Sequence, residues 1–101
     1  MATQQEKRDT LESELAHYVR REINFGFEVY AVAQKETNPA IIAAIDAIDV
    51  WVRLCYVRLR QALNAVDAAP DEATWDAVAI DYAPLDAAKP AVTRLQDLVQ
   101  L

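Results

Sequence analysis

The longest regular pattern of apolar residues lies between residues 39 and 66. One series recurs at alternating steps of four and three: Ile41, Ile45, Ile48, Val52, Cys55, Leu59, Ala62 and Val66. This is the spacing of one face of an α-helix, so the segment is predicted to form a long helix with this stripe in a core. Asn38 and Pro39 support the start, because Asn is a favoured N-cap and Pro suits the first helical position.

The same predicted helix carries a second apolar group on its opposite side. Its members are Ala47, Val50, Trp51, Leu54 and Val57, and a narrow polar strip holds Asp46, Asp49, Arg53, Arg60 and Asn64. A helix that is apolar on two sides needs cover on two sides. The favoured prediction places Trp51 in the core. If the other helices leave this side bare, a surface formed by Trp51, Leu54 and Arg58 is expected to drive self-association.

The segment before residue 38 also shows helical spacing. Apolar residues lie at helical spacing there from Leu11 to Val32, with Glu22 in the middle of that face as a carboxylate that needs a partner. A helix is predicted to begin near Thr3 or Asp9. It is expected to continue to about Lys35, with residues 24–26 around the single glycine as the place for a bend.

Two further helical segments, one short and one long, follow the central helix. A third helix is predicted from the acidic turn at Asp71 to a point before Pro84. A fourth is predicted from Leu85 nearly to Leu101, with Leu95 and Val99 on its apolar face and a kink or restart at Pro90. The predicted fold is therefore all-α. It is a small antiparallel bundle of three to four helices around the long helix 39–66, in a single domain spanning residues 1–101.

Composition supports this fold class. The 101-residue chain is 53% hydrophobic and contains one glycine, so a packed core is expected and the turn chemistry of a hairpin-rich fold is missing. Cys55 is the single cysteine, which excludes an internal disulfide, and its place in the core stripe predicts a small buried hydrophobe.

The net charge of the chain limits which classes of partner it can bind. The formal net charge is -6, the wrong sign for a protein held to phosphates, so no direct nucleic-acid binding is expected. The N-terminus is polar, and Asp46, Asp49 and Arg53 interrupt the longest apolar run. Neither a secretory signal nor a membrane span is therefore expected, and a cytoplasmic location is predicted.

The last third of the chain is acidic. Residues 67–101 hold seven acids and two bases. The acidic surface candidates are Asp71, Glu72, Asp76, Asp81 and Asp86. The four aspartates recur every five residues, a spacing that winds around a helix rather than lining one face. They therefore predict either a solvated acidic surface or a docking surface for a basic partner.

No constellation of catalytic residues stands out. Ser13 and His17 lie four apart beside Arg21, but no Gly-rich turn exposes a nucleophile. Glu14 and His17 have the Glu-x-x-His spacing of di-iron bundles. A single histidine would complete such a site only in a homodimer, with Glu22 or Asp46 as extra ligands. We therefore expect no enzyme activity, no metal and no cofactor.

Two functions fit these observations. The first is a non-enzymatic protein–protein interaction module that acts as a homodimer and presents a helical surface. The second is an acidic inhibitor, of the phage anti-defence, antitoxin or immunity type, that blocks a basic nucleic-acid-handling protein through the acidic last third.

Overall fold

The computed structural model describes residues 3–23 and 37–101. Within these ranges the chain is all-α, which confirms the predicted fold class. The helices are α1 (Gln4–Glu22), α2 (Pro39–Ala68), α3 (Glu72–Asp76), α4 (Ala83–Ala88) and α5 (Leu95–Leu98). The described part therefore contains two long helices and three short ones, whereas the sequence predicted a third long segment near the C-terminus.

Helix α2 forms where the periodicity predicts it. The side chain of Asn38 accepts a hydrogen bond from the backbone N–H of Ala40 at 2.9 Å, and Pro39 is the first helical residue. Six members of the predicted stripe are buried and two are half-buried, and Cys55 is fully buried. Burial raises the pKa of the Cys55 thiol to about 11, as expected for a structural cysteine.

Helix α1 runs antiparallel to α2. Its first residue, Gln4, donates a side-chain hydrogen bond to the carbonyl of Val66 at 3.2 Å, while Tyr18 near its other end contacts Trp51. Leu11, Leu15 and Tyr18 are buried against α2. The antiparallel packing of the first two helices is thus confirmed.

Helix α1 is shorter than predicted. Thr3 caps it as expected, accepting from the N–H of Glu6 at 3.1 Å, but the helix ends at Glu22. Ile23 is extended (φ −111°, ψ 108°), so the prediction of one continuous helix to Lys35 is wrong. The expected bend and the apolar positions beyond Ile23 lie outside the described residues.

Glu22 shows how the end of α1 is held. Its carboxylate pairs with Lys89 at 2.7 Å and with Arg21 at 3.3 Å. The hydrogen bond from Lys89 is the main cause that lowers the pKa of Glu22. An ion pair of this kind is what a carboxylate in an apolar helical face requires.

The segment after α2 departs from the predicted helices. Asp71 caps α3 by accepting from the N–H of Thr74 at 2.8 Å, but α3 ends at Asp76, well short of Pro84. Pro84 instead lies in the first turn of α4. This follows from proline chemistry, because a residue without an N–H is tolerated at a helix start. The predicted third helix is therefore wrong in extent.

The predicted fourth helix is also wrong in extent and in its inner face. After α4 the chain leaves helical geometry until α5, a single turn. Leu98 is buried, whereas the predicted inward residues Leu95 and Val99 are 41% and 65% exposed. Leu98 packs with Ile41 in a small cluster at the N-terminal end of α2.

One main core joins four of the helices. Its buried members are Leu11, Leu15, Tyr18, Trp51, Cys55, Leu59, Ala62, Val66, Trp75, Ile80 and Leu85. The core residues of α2 all face the same side of that helix, and the other helices pack on that side. The molecule measures 52 × 22 × 17 Å. No helix among the described residues is long and apolar enough to cross a membrane. Among the described residues no helix packs on the other side of α2, where Val50, Leu54 and Val57 are exposed.

Candidate functional site

An exposed, mostly apolar stripe runs along α2 on the side away from the core. We call it the outer face, and it consists of Ala43, Ala47, Val50, Leu54, Val57 and Gln61. All six residues are exposed, with Val50 at 65%, Leu54 at 37% and Val57 at 43%. They are spaced by steps of four and three, which is the spacing of a coiled-coil seam. At 1.5 Å per residue the stripe is about 27 Å long.

Charged residues of both signs border the outer face. Asp46 and Asp49 lie in the N-terminal half of α2, and Arg53 and Arg60 in the C-terminal half. Asp49 and Arg53 form an ion pair at 2.9 Å, one helical turn apart. Asp46 and Arg60 form no ion pair within residues 3–23 and 37–101. With respect to the described residues, this edge therefore carries one unpaired charge of each sign.

The three residues predicted for a self-interface are separated in the structure. Trp51 is 2% exposed and lies in the core, where its indole N–H donates to the carbonyl of Leu85 at 2.8 Å. Leu54 lies at the centre of the outer face. Arg58 is half-buried between that face and the core, beside a depression of about 280 Å³. Trp51 is therefore excluded from an exposed surface, and Leu54 and Arg58 stay candidates.

A second feature is an open groove of about 450 Å³ between α1 and the start of α4. It is lined by Ser13, Glu14, His17, Tyr18, Arg21, Tyr82 and Asp86. The groove therefore brings together the Ser–His and Glu–His pairs of α1 with Tyr82 and Asp86, which lie more than 60 residues further along the chain.

The tyrosines join the two sides of this groove. The hydroxyl of Tyr18 donates a hydrogen bond to Asp86, and the rings of Tyr18 and Tyr82 lie 4.5 Å apart. Arg21 sits over the Tyr18 ring, 5.5 Å from its centroid. Burial, followed by the bond to Asp86, raises the pKa of Tyr18. These contacts fasten α4 to α1.

Tyr82 places a buried polar atom at the groove. Its hydroxyl is buried and has no hydrogen-bond partner in the described part of the chain. Burial raises the pKa of Tyr82, and the nearby carboxylate of Glu14 adds to this effect. A buried hydroxyl of this kind is commonly satisfied by an ordered water molecule.

The structure separates the ligands weighed for a metal site. Among the described residues no group of three His, Cys, Asp or Glu side chains could hold a metal ion. Glu14 and His17 lie exposed at the groove, Glu22 is paired with Lys89, and Asp46 lies on α2. In the described part of the chain, Glu14 and His17 therefore have no third metal-binding side chain beside them.

All five acidic surface candidates are exposed, and several have a role within the chain. They are Asp71, Glu72, Asp76, Asp81 and Asp86. Asp71 caps α3, where the Thr74 hydroxyl and N–H lower its pKa. Asp81 accepts a hydrogen bond from a backbone N–H at the start of α4, at 3.1 Å. Local capping and bonding therefore explain part of this acidity.

Comparisons with protein-family models, curated proteins and solved structures give no match. Function is therefore inferred from the surfaces of the chain itself. Of the two features described above, the outer face is an apolar surface that no described element covers, whereas the groove is lined by polar residues and its residues Tyr18 and Asp86 bond to each other.

Proposed function

We propose that this protein is a non-enzymatic helical interaction module that acts as a homodimer through the outer face of α2. The observation that carries the proposal is the exposure of an apolar stripe with coiled-coil spacing on the longest described helix. A polar helix edge would need no partner, but an apolar one gains from leaving water.

The apolar area favours burial. Val50, Leu54 and Val57 stand one turn apart and each exposes more than a third of its surface. Burying apolar area stabilises by about 25 cal/mol per Å², and a contiguous patch of this kind marks an interaction surface more often than isolated apolar residues do. A second helix packed along the stripe would remove these side chains from water.

The bordering charges favour a second copy as the occupant. The edge carries two acids and two arginines, so a uniformly acidic or basic partner would meet like charge along half its length. A copy of the same helix supplies both signs. Homodimers are also the commonest assemblies of soluble proteins.

The test compares two valines of equal exposure. Val50 on the outer face and Val99 near the C-terminus are both 65% exposed. In sedimentation equilibrium the Val50→Asp variant should dissociate at concentrations where wild type is dimeric, because it places a charge in the seam. Val99→Asp, which adds the same charge elsewhere, should sediment as wild type.

The circular dichroism spectrum of both variants at 25 °C, below the melting transition, provides the folding control. Each substitution is at an exposed site, so the helical circular dichroism of both should match wild type. Equal dimer dissociation constants for Val50→Asp and wild type would contradict the proposal, as would a wild type that sediments as a monomer.

A second candidate function is inhibition of a basic nucleic-acid-handling protein. It is supported by the exposure of the five acidic candidates in a segment with seven acids and two bases. Retention on immobilised polylysine tests it. Neutralising Glu72 and Asp76 should then weaken retention more than neutralising Asp9 and Glu12 on α1. Equal losses would mean that only net charge matters and would contradict a specific acidic docking surface.

A further inference from the structure

We infer that the two α2 helices of the dimer pack antiparallel, with Val50 of one copy opposite Leu54 of the other and Asp46 opposite Arg60. This inference rests on the proposed function, since it specifies the geometry of that dimer. It follows from the order of charges along one edge of the outer face.

In the seam spacing, Asp46, Arg53 and Arg60 occupy equivalent positions immediately before the seam residues Ala47, Leu54 and Gln61. In an antiparallel pair of helices, such an edge lies beside the same edge of its partner running the other way. The acid at one end then meets the arginine at the other. Two-fold symmetry makes this contact twice, and it uses the two charges that form no ion pair with the described residues of their own chain.

The central contact is also acceptable in this register. Arg53 would approach Arg53 of the second copy near the two-fold axis, but Asp49 already pairs with it at 2.9 Å within each chain. Each half of the contact is therefore close to neutral. Repulsion between two like charges is weak when each charge is paired with an opposite charge and lies in solvent.

A parallel pair is disfavoured by the same residues. In parallel packing the edge that holds Arg53 faces the opposite edge of the partner, where the position one turn on is Arg58. Arginine would meet arginine on both sides, and Asp46 would face Trp51, which is buried in its own core. The parallel arrangement therefore leaves Asp46 and Arg60 unpaired, and it places Arg58, which forms no ion pair with the described residues, beside Arg53 twice.

The apolar layers fit the antiparallel register. Val50 packs against Leu54 of the other copy on either side of the axis, and Ala47 packs against Val57 in the next layer. Small and large side chains alternate across the seam, which lets two helices approach closely. At each end of the stripe Ala43 of one copy meets Gln61 of the other, so the apolar contact ends at a polar side chain.

A charge exchange tests the register. Asp46→Arg and Arg60→Asp should each weaken dimerisation by about tenfold, because each turns two attractive contacts into repulsive ones. The double exchange should recover the wild-type dissociation constant to within about threefold. Glu12→Arg on α1, an exposed site away from α2, should change it by less than about threefold.

A distance measurement tests the orientation independently. A spin label at Asn64→Cys lies twelve residues from an axis near residue 52, so the two labels should be on the order of 36 Å apart in the antiparallel dimer. Parallel helices would bring them within about 15 Å. The buried Cys55 should stay unlabelled, and labelled wild type measures this background.

The outcomes separate the two claims. A dimer with distant labels and recovery in the double exchange supports the antiparallel geometry. A dimer with close labels, or a double exchange as weak as the single variants, overturns the geometry and leaves the proposed function standing. A monomeric wild type overturns both.

Discussion

The hydrogen bond between Trp51 and Leu85 makes Trp51→Phe an informative perturbation of the core. The indole N–H of Trp51 lies 2.8 Å from the Leu85 carbonyl, and both residues are at most 2% exposed. This bond connects α2 to α4. Phe keeps an aromatic ring in the core, but it removes the donor and part of the ring.

The expected cost has two parts. Removing the donor leaves the Leu85 carbonyl buried without its partner, which costs about 1–3 kcal/mol. The smaller ring also buries less apolar area and leaves a gap beside Tyr18, which costs about a further 1 kcal/mol. We therefore expect Trp51→Phe to lower the free energy of unfolding by about 2–4 kcal/mol, a large share of the stability of a domain of this size.

Urea unfolding followed by circular dichroism at 222 nm measures this loss. Both proteins must be compared at one concentration, because a dimer gains apparent stability with concentration. Tyr56→Phe is the matched control, since Tyr56 is on the same helix but 47% exposed, and it should change stability by less than about 0.5 kcal/mol. If Trp51→Phe were as stable as this control, the bond would not hold α4 on α2.

Three further predictions concern other contacts. The lowered pKa of Glu22 means that its pairing with Lys89 stabilises the fold above the ordinary pKa of 4.5 and that this is lost as the pH falls. Wild type should therefore exceed Glu22→Gln in urea midpoint most above about pH 5 and least near about pH 3, and a constant difference would contradict this. Cys55, buried and with a pKa of about 11, should react with a disulfide reagent at pH 8 only as fast as the protein unfolds, so equal rates in native and denatured protein would be inconsistent with burial. Ile48→Asp should abolish helical circular dichroism by placing a charge in the buried stripe, and an unchanged melting temperature would mean that the stripe does not face the core.

Helix α2 could be predicted from the sequence because its signals are local and agree with one another. The step of three and four continues from Ile41 to Val66, and Asn38 with Pro39 marks the start. The ion pair of Asp49 with Arg53 follows from the same geometry. Where periodicity, capping and charge spacing support one helix, the structure confirms it.

The C-terminal third could not be predicted in the same way. Apolar residues spaced by three and four fit more than one register, and the structure buries Leu98 rather than Leu95 and Val99. The two prolines allow a helix either to end before them or to begin with them. At Pro84 the chain begins a helix, and the choice depends on tertiary contacts that place Leu85 under Trp51.

Neither candidate site could be recognised fully from the sequence. Spacing identifies the second apolar side of α2, but it does not show that Trp51 is covered and that Val50 is bare. That division depends on where α1 and α4 pack. The groove joins Tyr18 to Asp86 across 68 positions, a contact for which no local pattern exists.

Solution mass by light scattering tests the central claim most directly. Measured across a concentration series at low and high salt, the wild type should approach 22.6 kDa, which is twice the 11.3 kDa of one chain. Because the outer face is apolar, the dimer should persist at high salt. A mass of 11.3 kDa at every concentration would contradict the account, since the outer face of α2 would then remain in solvent without a partner.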